Sequence, residues 1–130
     1  MQIDMDSVPA TVAVAVDQLF HSLEEDDIKF IESNPVEAVH HTVGMSVRNA
    51  WSLWEPDSPL KRDAVEKYGI AHADDISGLI FAWLYAKVRR EDFAPAIHAQ
   101  RYHRHWERQG TDALTAGGWP PHPNSDGVES

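Results

Sequence analysis

At 130 residues the chain has the length of one domain, enough to bury a core without covalent staples. It contains no cysteine, which excludes disulfides, thiolate-held zinc, thiol redox centres and a thiol nucleophile. The 21 acidic side chains outnumber the 11 basic ones for a formal charge of -10; this disfavours general nucleic-acid binding, which rests on phosphate neutralisation, and points to partners with a basic surface.

The first residues, Met1 to Asp6, lack the basic and apolar regions of a secretory signal, so a mature start and a cytoplasmic location are expected. From Thr11 onward Val12, Val16, Leu19, Phe20 and Leu23 recur at three- and four-residue intervals, predicting an amphipathic helix to about Leu23. Ser22 stands three residues before Glu25, the spacing of a capping box, and a short second helix through Ile28, Phe30 and Ile31 is expected. Asn34-Pro35 stops it and serves as the next N-cap and first helical position. Val36, Val39, Val43, Val47, Trp51 and Trp54 share one face at 3.6 residues per turn, which predicts a long third helix.

Ser58-Pro59 repeats the cap-and-proline pattern and opens a helix to Tyr68, with Gly69 as its C-terminal stop. A helix over about Ala73 to Val88 begins with Asp74 and Asp75, where carboxylates favour the positive end of the helix dipole. Ile76, Leu79, Ile80, Trp83 and Leu84 form its main stripe, while Phe81 and Tyr85 project from the other side. A helix apolar over most of its circumference is either central or half of a homodimer interface, and the central position is the simpler expectation. Neither it nor any other stretch has the roughly 20 apolar residues of a membrane span. The last helix runs from about Pro95 to Arg108, carries Ile97, Tyr102 and Trp106, and ends at Gly110. These elements predict an all-α fold: a compact bundle of five to six helices over residues 8–110. Residues 111–130, rich in glycine, proline and short polar side chains, are expected to form a disordered tail.

Charge is unevenly spread. Residues 1–34 carry eight acids against the single Lys29, whereas residues 87–108 carry six bases against three acids, with His98, His103 and His105 added. The two regions are expected to face each other as a solvated ion-pair network, or else to offer a partner-binding surface. Glu24, Glu25, Asp26 and Asp27 are the candidates for the latter.

His40, Gly44 and Arg48 fall one turn apart at the border of the third helix's apolar stripe, and a mid-helix glycine costs about 1 kcal/mol against alanine. Something therefore packs closely there, either another helix or a bound group. His72, Asp74 and Asp75 sit at a helix start, where they serve either as caps and ion-pair partners of Arg48 or as acid, base and orienting carboxylate. Adjacent Asp74 and Asp75 diverge by about 100° on a helix, so one site can use both only with help from another segment. The histidines of His40-His41 and His103-x-His105 point apart on a helix, so neither a metal site nor a cofactor is expected. Trp119-Pro120-Pro121-His122-Pro123 has the look of a polyproline II ligand but also of an ordinary flexible end. No nucleophile elbow, phosphate-binding glycine loop or H-E-x-x-H motif is present.

Over residues 36–106 the pattern His40-x-x-x-Gly44-Met45-x-x-Arg48-Asn49, Leu53-Trp54, Gly69-Ile70-x-His72-x-Asp74-Asp75-x-Ser77, Tyr102 and Trp106 resembles an uncharacterised family of small bacterial and phage-type proteins with no assigned activity. The chain departs from that pattern at Ser52, Ala73 and His105. The resemblance implies that His40, Arg48, Asn49, His72, Asp74 and Asp75 form one constellation joining the third helix to the central one. Two functions fit these observations. One is a non-enzymatic, acidic protein–protein interaction domain, of the kind that serves as an immunity-type or anti-defence inhibitor. The other is a small enzyme or ligand-binding protein using the His/Arg/Asp cluster for acid–base chemistry on an anionic substrate.

Overall fold

A computed structural model of the protein describes residues 8–38, 51 and 58–120. Among the described residues the secondary structure is entirely helical: α1 (Val12–Ser22), α2 (Glu25–Ser33), α3 (Pro59–Tyr68), α4 (Ala73–Arg89), α5 (Pro95–Arg108) and α6 (Ala113–Ala116), with residues 36–38 helical as well. None of these helices is long and apolar enough to cross a membrane. The predicted third helix lies almost wholly outside the described residues, and with it His40, Gly44, Arg48 and Asn49. Trp51, on its apolar stripe, is buried in the core.

α1 begins where Thr11 accepts a hydrogen bond from the Val14 amide at 3.1 Å, and Asp63 of α3 accepts from the Val12 amide at 2.8 Å. Two of the four unpaired amides of the first turn are thus satisfied, one locally and one across the fold. Val12, Ala15, Val16 and Leu19 are buried, with Phe20 and Leu23 packed beside them. The entry into α2 differs from the expected capping box. Ser22 closes α1, donating its hydroxyl to the Leu19 carbonyl at 2.7 Å. Glu24 caps α2 instead, and its amide donates to Asp27 at 2.9 Å. Within α2 only Ile31 is buried, while Ile28 and Phe30 are exposed at the flanks of that narrow stripe. Asn34 also departs from its expected role: it ends α2, donating its side-chain amide to the Phe30 carbonyl at 3.0 Å.

α3 follows the sequence closely. Ser58 accepts from the Lys61 amide at 3.1 Å, Pro59 takes the first position, and Gly69 ends the helix at φ 68°. Glycine is required at that end twice over. Its backbone is left-handed, and a Cβ there would meet the His103 imidazole at 2.9 Å, whose Nε2 lies 2.9 Å from the Tyr68 carbonyl.

α4 is the central rod. Ile76, Leu79, Ile80, Phe81 and Leu84 are fully buried and Tyr85 nearly so, because α1, α2 and α5 pack around the helix. Burial on several sides accounts for its apolar circumference without a second copy. Its C-terminal end is tied down by Arg89, whose guanidinium donates to the carbonyls of Ile31 (2.8 Å) and Asn34 (2.7 Å) and so satisfies orphan acceptors at the end of α2. Among the described residues the acidic and basic regions pair where Lys87 lies 3.6 Å from Asp17 and over the Phe20 ring.

Two findings concern the end of the chain. Ile97 is 67% exposed, since at 100° per residue it stands about 160° from buried Ala99 and opposite the Tyr102 and Trp106 face of α5. The domain also does not stop at Gly110. Asp112 caps α6 by accepting from the Thr115 amide at 2.8 Å, Ala113 is buried, and Gly117 lies against the backbone of Ala71 and His72. Residues 111–120 therefore belong to the packed domain, contrary to the expectation of a tail from residue 111. The remainder of that tail, residues 121–130, lies outside the described residues.

Candidate functional site

The groove between α4 and α5 is an open cleft of about 380 Å³. Its α4 wall is built from Asp74, Gly78 and Ala82, one turn apart, with Asp75 set deeper; small residues at the second and third turns keep the wall recessed. The α5 wall presents His98, Arg101, Tyr102 and His105, spaced i, i+3, i+4 and i+7 and hence on one face. Val36 and Glu37 close one end. That end is pinned by the Tyr85 hydroxyl, which donates to the Pro35 carbonyl at 3.2 Å. The turn between the helices is braced by Phe93, stacked on Trp83 at 5.9 Å and against His98 at 5.3 Å.

The entrance to α4 fixes the carboxylates. His72 is the N-cap, and its ring Nδ1 accepts from the Asp74 amide at 3.1 Å, which requires the proton of a neutral ring to sit on Nε2. The other support of that ring is Trp106 of α5, with centroids 5.5 Å apart. The Trp106 indole donates to Asp75 Oδ2 at 2.8 Å. One aromatic side chain thus braces the cap of the helix and holds the buried carboxyl of its first turn. Asp75 is only 7% exposed, lines the cleft, and accepts no hydrogen bond at Oδ1 among the described residues.

Burial raises the Asp75 pKa, against the opposing pull of the Trp106 hydrogen bond and of His72 and His105. Burial pushes the Tyr102 phenol up as well, with the Asp75 charge adding to it. The same desolvation, aided by Arg101, lowers His98, whose Nε2 lies 3.3 Å from the Tyr102 hydroxyl. The inner cleft is thus lined by a carboxyl, a phenol and an imidazole that all lean to their neutral forms, and its rim by Glu37, Asp74, Arg101 and His105.

A stability test follows from Asp75. Because its folded pKa lies above the ordinary 3.8, the folded state holds the proton more tightly than the unfolded chain, and stability falls as pH rises from 3.8 through the folded value. The ionised form is thus the less favourable one in the fold. Asp75→Asn, which keeps an oxygen for the indole, is therefore expected to raise the melting temperature by a few degrees at pH 7. The gain should shrink towards zero as pH drops below 4. Equal melting temperatures across that range would show that burial does not disfavour the carboxylate.

Of the residues singled out from sequence, His72, Asp74 and Asp75 come together as a cap, a rim carboxylate and a buried carboxyl. Asp74 and Asp75 do diverge, and α5 is the second segment that lets both line one cleft. His40, Arg48 and Asn49 lie outside the described residues. Glu24, Glu25, Asp26 and Asp27 form the cap and first turn of α2, and none of them lines the cleft. Sequence reasoning did not place Glu37, His98, Arg101 or His105 in a site. The signal was available: the α5 residues repeat with the spacing of an apolar stripe but in polar side chains.

Residues 8–88 match the model of a family described as a domain of unknown function (DUF6794). The match takes in the whole α4 wall of the cleft and stops before the α5 wall. No curated protein and no solved structure matches the chain.

Proposed function

The chain belongs to the DUF6794 family, and for this member we propose that the cleft between α4 and α5 is the binding site of a small polar ligand. The observation that carries the reading is Asp75, a carboxyl 7% exposed and facing the cleft with one oxygen held by Trp106. Keeping a charge-capable group in a desolvated position, where burial disfavours its ionised form, is the mark of a site rather than of a scaffold. The cavity lies in the lower part of the range of small-molecule pockets, roughly 300–1,000 Å³. A carboxyl with a raised pKa beside a phenol is also the apparatus of proton transfer, so the same cleft would serve a small acid–base enzyme. A melting-temperature screen of small polar metabolites tests the reading. Hits should stabilise the wild type and lose their effect in Asp75→Asn and Tyr102→Phe, whereas hits indifferent to both variants would move the site elsewhere.

A second reading rests on α2, where Glu24, Glu25 and Asp26 are exposed at the helix start. They suit a partner with a basic surface, in the manner of an immunity-type or anti-defence inhibitor acting in a bacterial or phage cytoplasm. Reversing the charges of Glu24 to Asp27 is expected to weaken capture of that partner and to flatten its salt dependence. Binding that survives the reversal unchanged would remove α2 from the interface.

A further inference from the structure

The two walls of the cleft are oppositely charged. Asp74 stands at the α4 rim with its side chain 56% exposed and one oxygen 4.0 Å from His72 Nδ1, and Asp75 lies deeper on the same wall with Oδ1 accepting no hydrogen bond among the described residues. Facing them, α5 carries Arg101 and His105, both exposed towards solvent and both lining the cleft. A simple anion entering here meets the carboxylates, and a simple cation meets the guanidinium. Neighbouring helices sit about 8–10 Å apart, so a ligand filling the groove reaches both walls at once.

Taking the cleft to be the ligand site, we propose that its ligand is bipolar: a small amino-acid-like zwitterion, its protonated amine against Asp74 and Asp75 and its anionic group against Arg101 and His105. The arrangement gives each end of the molecule a charge-assisted partner. It also sets specificity by repulsion, since a diamine places its second cation against Arg101 and a diacid places one carboxylate against Asp74.

Calorimetric titration of the full chain with a series of ω-amino acids from glycine to 6-aminohexanoate tests this, with 1,4-diaminobutane and succinate as single-sign controls. At least one zwitterion is expected to bind at least tenfold more tightly than either control. Asp74→Asn and Arg101→Gln, both at exposed positions, should each weaken it tenfold or more while a cooperative melting transition is retained. A control that binds as tightly as the best zwitterion, or a zwitterion indifferent to both variants, overturns the charge assignment. Silence of the whole series at millimolar concentration overturns it too. In each of these cases the cleft reading stands if metabolite hits still depend on Asp75 and Tyr102, and falls if they do not.

Discussion

Replacing Trp106 with alanine is expected to cost the fold about 2–4 kcal/mol, somewhat below the range for fully buried aromatics because the indole is partly exposed. Two losses combine. The His72 ring loses the surface it rests on, which loosens the cap of α4, and Asp75 loses its hydrogen-bond donor while remaining buried. Trp106→Phe separates them, because it keeps most of the packing and removes only the N–H. Its expected cost is about 1–3 kcal/mol, the penalty of leaving a buried acceptor unpaired. Denaturant titration reads both variants as a lower midpoint at unchanged slope. In Trp106→Phe the penalty should ease at acidic pH, where Asp75 takes up a proton and its desolvation matters less. A phenylalanine variant as stable as wild type at pH 7 would mean that the indole acts only as packing.

The second large effect is expected at Gly117. Its φ of -92° is ordinary, so the need for glycine is one of space: a Cβ would fall on the backbone of Ala71 and His72. Backbone cannot swing aside as a side-chain tip does, and Gly117→Val must therefore push the 111–118 strap off the body of the domain. Overpacking of this kind costs about 1–3 kcal/mol. Here the displaced strap also takes away the Gly117 carbonyl, which lies 3.4 Å from Nζ of Lys61, a lysine only 4% exposed. Burial already lowers the pKa of that ammonium, so removing its acceptor adds to the loss. Faster amide exchange in residues 111–118 and at Ala71 and His72 would report the displacement. Retention of wild-type protection there would show that the strap tolerates the methyl groups.

Local chemistry was most legible where one residue type has one physical use. Ser58-Pro59 and Gly69 bracket α3 as read, and α5 begins and ends at Pro95 and Arg108. The ambiguous positions were those with two competing uses for one side chain. Ser22 bonds back into its own helix in place of capping the next, and Asn34 closes α2 in place of opening a new helix. Composition misled at the end of the chain, because α6 docks through Ala113 and Gly117, residues too small to register as apolar pattern. Hydrophobicity without angle says little about Ile97, since residues five and nine positions from Tyr102 and Trp106 do not share their helical face. The His72, Asp74 and Asp75 half of the cleft could be found from a helix start. The α5 half required knowing which helix lies opposite, and adjacency in space is not written in the spacing of one segment.

The position of Trp106 gives the protein its own optical probe. An indole whose N–H is held by a titrating carboxyl changes its emission when that neighbour gains or loses a proton. Subtracting the spectrum of Trp106→Phe isolates this signal from the other four of the five tryptophans. The difference spectrum then follows the ionisation of Asp75 directly, without a label or a coupled assay.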